Sequence, residues 1–122
     1  MSQIGDAAYS ATKHAAVAFA ESLAITHGDD GIKVSVVCPQ AVATRLIGIE
    51  DDAEDVDGGF GGNDVDGILA PEDVADCIVE GISEGRFLIL PHPQVRTYME
   101  RKADDYDRWI GGMRKFRRRL QR

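Results

Sequence analysis

The sequence predicts an α/β fold, read as one side of a larger doubly wound parallel sheet. Two short apolar runs, residues 33–38 and 86–90, are rich in Val, Ile and Leu and each is closed by a proline. Helical patterns flank and separate them in the order helix, strand, loop, helix, strand, helix, which implies parallel pairing through right-handed crossovers. Two such strands cannot cover their own faces and edges, so more sheet is expected than these residues supply.

Residues 8–27 read as the first helix, with Asp6 to cap it, Gly28 to end it and no Pro or Gly between. Tyr9, Lys13, Ala16, Ala20 and Leu23 share one face, with Val17 and Ala24 beside it. Ala11, Ala15, Ala16, Ala18, Ala20 and Ala24 keep the helix narrow, so a neighbour could approach closely. Asp29, Asp30 and Gly31 make a turn into the strand at 33–38, which Pro39 stops. Between Glu50 and Asp66 lie eight acids and four glycines with neither a helical nor a strand period, so 45–70 reads as a long loop with a short helical turn near 46–49. Pro71, Glu72 and Asp73 open a second helix over 72–83, striped by Val74, Ala75, Ile78, Val79 and Ile82 and ended by Gly85. The strand at 86–90 comes next, closed by Pro91. A last helix, about 94–119, presents Val95, Tyr98, Met99, Tyr106, Trp109, Ile110, Met113 and Phe116, and Gly111-Gly112 is expected to kink or split it. Two units are expected: 1–93, holding the sheet, and 94–122, a terminal helix with a basic tail.

Charge divides the same way. The net charge of the 122 residues is −7, yet residues 101–122 hold nine of the fourteen bases against three acids, which leaves 1–100 at −13. An acidic body argues against general nucleic-acid binding. No apolar run approaches the ~20 residues a bilayer-spanning helix needs, and the N-terminus has no basic-then-apolar leader pattern. Cys38 and Cys77 offer neither a disulfide framework nor metal-ligand spacing. The expectation is a soluble cytoplasmic protein without a nucleic-acid or membrane partner.

Tyr9 and Lys13 are four apart on one helix and lean over the same turn. A free phenol is a poor acid or base at neutral pH, since tyrosine titrates near pH ~10. An ammonium ~4 Å away, at an effective dielectric of ~20, attracts a phenolate by about 4 kcal/mol before desolvation opposes it. A phenol assisted in this way can exchange a proton with a substrate oxygen. Tyr/Lys neighbours also occur on ordinary helix surfaces, so the pair gains meaning only from its place among other motifs. Tyr9-Ser-Ala-Thr-Lys13, then Ile32-Lys-Val-Ser-Val-Val-Cys-Pro39, then Val42-Ala-Thr44, then Pro71-Glu-Asp-Val-Ala75, resembles the short-chain dehydrogenase/reductase family over roughly residues 2–90.

The resemblance implies a Rossmann-like sheet of which this chain is the C-terminal part, with the N-terminal dinucleotide-binding half absent. It places Tyr9 as general acid/base, and Lys13 as the residue that assists it and binds the nicotinamide ribose. Pro39, Gln40, Ala41, Val42 and Thr44 fall on the loop that holds the nicotinamide carboxamide, with Val42 and Thr44 the best-aligned contacts. Residues 45–70 correspond to the variable substrate loop. The implied reaction is hydride transfer between NAD or NADP and a small-molecule carbonyl or secondary alcohol, and the implied assembly is a homo-oligomer through helix 8–27. There are three departures from the family pattern. Gln40 stands where the family has glycine; the catalytic serine of the family would fall before Met1, with Ser2 and Ser10 at the wrong offsets; and no Gly-rich phosphate fingerprint precedes Tyr9. The chain alone is therefore expected to be incomplete and inactive. The competing expectation is a non-catalytic fragment that binds itself or a partner through the same helix.

Other signals are weaker. Asp55 to Gly67 clusters carboxylates and glycines as a calcium site would, but its aspartate register is off by one from the glycine-rich calcium repeat and does not recur, so no metal site is expected. The tail from Arg114 to Arg122, with Phe116 and Leu120 interleaved, reads as a solvated end or as one that pairs with an acidic neighbouring subunit. His14, His27 and His92 read as surface or capping residues, and Cys38 as a small core residue.

Overall fold

The computed structural model describes residues 4–44 and 67–121. The elements run α1 (Ala7–His27), β1 (Val36–Val37), α2 (Pro71–Ser83), β2 (Leu88–Ile89), α3 (Gln94–Asp104) and α4 (Tyr106–Leu120). Among the described residues the sheet has two strands, and they are parallel, with Val36 opposite Leu88 and Val37 opposite Ile89. This is the α/β arrangement with helical crossovers that the order of elements predicts. Both strands are shorter than the apolar runs that contain them. A parallel strand satisfies alternate backbone groups toward opposite neighbours, and each strand here has one neighbour among the described residues. The ladder extends through Val36 N–H to Phe87 C=O at 2.7 Å and Cys38 N–H to Ile89 C=O at 3.0 Å. Ser35 Oγ adds a bond of 2.7 Å to the Arg86 carbonyl.

α2 starts with Pro71 in its first turn and lies on β2 with Val74, Cys77, Ile78 and Gly81 inward. Its apolar stripe therefore divides, because Ala75, Val79 and Ile82 stand on an exposed face instead of joining the packed one. Gly85 ends the helix at φ +68, in the left-handed region that glycine enters without a Cβ clash. Its N–H reaches Ile82 C=O at 3.0 Å, and the Arg86 N–H reaches Gly81 C=O at 2.9 Å. Arg86 then bridges on the surface to Glu84 and, at 3.4 Å, to Glu80.

The C-terminal region contains two helices and not one. The break falls at Asp105, whose extended backbone (φ −148, ψ 97) ends α3 and whose carboxylate accepts from Arg108 N–H at 2.9 Å to start α4. An aspartate cap satisfies an otherwise orphaned donor, and this overrides the expected break at Gly111-Gly112, which lie inside α4. Tyr106 and Trp109 meet edge to face with centroids 6.1 Å apart, and Lys102 Nζ from α3 sits 5.1 and 4.8 Å from their respective ring centres.

α1 is capped as its sequence predicts, with Asp6 Oδ1 accepting from Tyr9 N–H at 2.8 Å, and none of its residues is buried. Val17, Ala20, Leu23, Ala24 and His27 form a half-buried stripe, whereas Tyr9, Lys13 and Ala16 are exposed. The stripe thus follows the C-terminal part of the expected face (Ala20 and Leu23, with Val17 and Ala24 beside them), and the N-terminal part that carries Tyr9 and Lys13 is open. The buried core of the described residues, Ala41, Ile89, His92 and Val95, gathers at the C-terminal ends of the two strands.

Candidate active site

Ligands of open parallel sheets bind beyond the carboxyl ends of the strands. Two chain segments leave the sheet there: 39–44 from β1 and 90–93 from β2. A third segment, 67–69, pairs with the first. Leu69 N–H donates to Ala41 C=O at 3.2 Å and Ala43 N–H donates to Leu69 C=O at 2.9 Å, making a parallel bridge between Val42 and Leu69. In that geometry the flanking residues carry the bonds, so the N–H and C=O of Val42 are directed to the side opposite residues 67–69. Among the described residues they take no partner. Pro39 is exposed, Ala41 is buried, and Gln40, Val42 and Thr44 are half-buried.

Gln40 does not adopt the left-handed backbone that its family counterpart glycine would permit. Its N–H is instead held by His92 Nδ1 at 3.1 Å. His92 is 2% exposed, the one buried polar side chain among the described residues, and its Nε2 lies 3.2 Å from the Gly67 carbonyl. This corrects the surface role expected for it. The available signal was its place between Pro91 and Pro93, at the end of a parallel strand. His14 is exposed on α1, its Nδ1 2.7 Å from Ser10 C=O, and His27 is half-buried at the end of that helix, its Nδ1 3.2 Å from the Asp30 carboxylate.

Tyr9 and Lys13 are brought together on α1, with Lys13 Nζ 5.3 Å from the centre of the Tyr9 ring. That is a cation–π distance, so the ammonium lies over the ring face of a phenol that is 41% exposed. Among the described residues no hydrogen bond joins either side chain to 39–44. The two groups of candidate residues therefore stand as two clusters, one on α1 and one at the strand ends. Cys38 is half-buried beside the second cluster, and burial pushes its thiol up, which keeps it protonated and unreactive at neutral pH. The expected substrate loop falls outside the described residues except for 67–70, as do the 46–49 turn and nearly all of the acidic glycine-rich run.

The donor set at 39–44 consists of a backbone N–H and C=O at Val42 and the Thr44 hydroxyl. Such uncharged groups fit a primary carboxamide, which itself offers donors and an acceptor. A Tyr hydroxyl and a Lys ammonium fit a ribose and a substrate oxygen. Among the described residues no three His, Cys, Asp or Glu side chains could jointly hold a metal ion, and no helix is long and apolar enough to cross a membrane.

Residues 1–55 match the family model for short chain dehydrogenase. Over 106 residues the chain is 33% identical to a 1-deoxy-11-beta-hydroxypentalenate dehydrogenase of Streptomyces exfoliatus, and over 110 residues 31% identical to the enzyme of that name from Streptomyces arenae. Each alignment covers 87% of this chain and 36% of the relative, so the chain spans about a third of the proteins it resembles. No solved structure matches it. With the Tyr9/Lys13 helix and the loop after β1 both inside the matched residues, the chain belongs, over the segment 1–55, to the short-chain dehydrogenase family.

Proposed function

We propose that these residues serve NAD(P)-dependent hydride transfer between a nicotinamide cofactor and a carbonyl or secondary alcohol, as the C-terminal half of a Rossmann-like domain. The observation that carries the reading is the Tyr9/Lys13 contact on one helix face, 5.3 Å from Nζ to ring centre, in a chain of this family. Tyr9 exchanges the proton of the substrate oxygen through its hydroxyl. Lys13 holds positive charge beside that phenol and binds the ribose. Val42 and Thr44 fix the carboxamide, with Pro39, Gln40 and Ala41 shaping the turn that presents them. When bound, the nicotinamide supplies the hydride or accepts it. The name shared by the two relatives specifies a hydroxylated substrate, which favours an alcohol of that class here. No Gly-rich phosphate fingerprint precedes Tyr9, so in this reading the chain by itself binds the nicotinamide end of the cofactor but does not turn over. Residues 1–93 form the catalytic part of this reading and 94–122 an appended helical part.

Titrating NADH and NADPH into the purified chain, followed by nicotinamide fluorescence, tests it. Saturable enhancement that Thr44→Val and Lys13→Met weaken is expected; a purely linear signal overturns the nicotinamide assignment. In a form that turns over, Tyr9→Phe removes activity and leaves binding intact, whereas retained activity excludes Tyr9 as the acid/base.

One observation favours a second reading, a self-associating module. α1 buries none of its residues and leaves Phe19 66% and Ile25 84% exposed. A narrow alanine-rich helix of this kind can pack against its own copy. Its test is the concentration dependence of mass and of amide exchange in α1.

A further inference from the structure

We propose that His92 is a positioning residue that holds residues 40–43 against 67–69 and so orients Val42, the loop residue whose backbone N–H and C=O take no partner among the described residues.

The chemistry of each partner fixes the state of the ring. The Gln40 backbone N–H can only donate, so the His92 Nδ1 that lies 3.1 Å from it is the unprotonated acceptor. The Gly67 carbonyl can only accept, so the Nε2 that lies 3.2 Å from it carries the proton. Both contacts are satisfied together by one species, the neutral Nε2–H tautomer. The ring thus joins two strand-end segments that are remote in sequence, with Leu69 closing the same gap by two backbone bonds. It does so from within the core, among Ile89, Val95 and Ala41, where at 2% exposure water does not compete. Pro91 and Pro93 restrict the backbone on either side of it. The Val95 N–H, bonded to the His92 carbonyl at 3.1 Å, ties the same residue to the start of α3. The consequence for ligand binding rests on the nicotinamide reading of 39–44; the clasp itself does not.

Two near-isosteric substitutions separate the halves of the clasp. His92→Asn keeps an acceptor near the position of Nδ1 and loses the Gly67 contact. His92→Gln places its amide donor near the position of Nε2 and loses the acceptor for Gln40. The measurement is nitrogen NMR of the full chain, giving the His92 tautomer and the exchange rates of backbone amides, with Val36 and Cys38 as controls for an intact sheet. The expected result is an Nε2–H ring and a Gln40 amide that exchanges about tenfold faster in His92→Gln while staying near wild type in His92→Asn. NADH affinity should follow the same order. An Nδ1–H ring, or equal Gln40 exchange in the two variants while Val36 and Cys38 stay protected, overturns the clasp. If NADH does not bind the wild-type chain, the tautomer and the Gln40 amide still decide the clasp, and only the nicotinamide reading fails.

Discussion

At Gly81 the fold depends on the lack of a side chain. A Cβ built there falls 2.6 Å from Cδ1 and 2.7 Å from Cγ1 of Ile89, which is fully buried. Alanine would favour the helix by about 1 kcal/mol, yet forcing a methyl into a filled core costs about 1–3 kcal/mol. Gly81→Ala therefore destabilises by about 1 kcal/mol, read as a fall in the midpoint of urea unfolding. Removing the Ile89 δ-methyl in Gly81→Ala/Ile89→Val should recover stability relative to the sum of the single changes. Strict additivity would mean that the two residues do not meet. At this scale the capping by Asp6, the turn at Gly85 and the pairing of Tyr9 with Lys13 could be read directly, because each depends on residues within a few positions of one another. The roles of Gly81 and His92 could not. Their partners, Ile89, Gln40 and Gly67, are remote in sequence or lie on another element.

At the scale of elements, α3 and α4 show two local rules in competition. Glycine in a helix costs about 1 kcal/mol, and a pair of them suggests a break. An aspartate that can leave the helix and cap the next one prevails because it satisfies a backbone donor, while Gly111 and Gly112 only add entropy cost. Asp105→Ala is expected to lose about 1 kcal/mol of stability, and Asp105→Ser to recover most of it. A Cβ at Gly111 or Gly112 meets no atom within 4 Å, so Gly112→Ala is expected to stabilise by ~0.5–1 kcal/mol. Thermal unfolding followed by circular dichroism reads both, and a lower midpoint in Gly112→Ala would show that the glycine serves a contact. The strands obey a similar division between local and remote causes. Apolarity announced two buried strands, but the number of rungs depends on neighbours that sequence alone does not supply.

For the whole molecule, the uneven distribution of burial matters most. The core of the described residues sits at the strand ends, while α1 buries none of its residues. Local stability follows burial and backbone protection, so α1 amides are expected to exchange well before those of Val36 and Cys38 in dilute solution. If α1 packs on a second copy, its protection and the sedimenting mass rise together with concentration. Uniform protection at every concentration would contradict both the early exchange of α1 and the self-association. Periodicity, caps and prolines were sufficient for α1 and α2, for the two parallel strands and for the residues resembling the dehydrogenase loop, because these are short-range properties of the chain. Which histidine enters the core and which glycine of α2 must stay without a side chain were settled by packing, since each depends on a contact between segments that only the folded chain brings together, whereas the division of the last helix was a local choice between two rules.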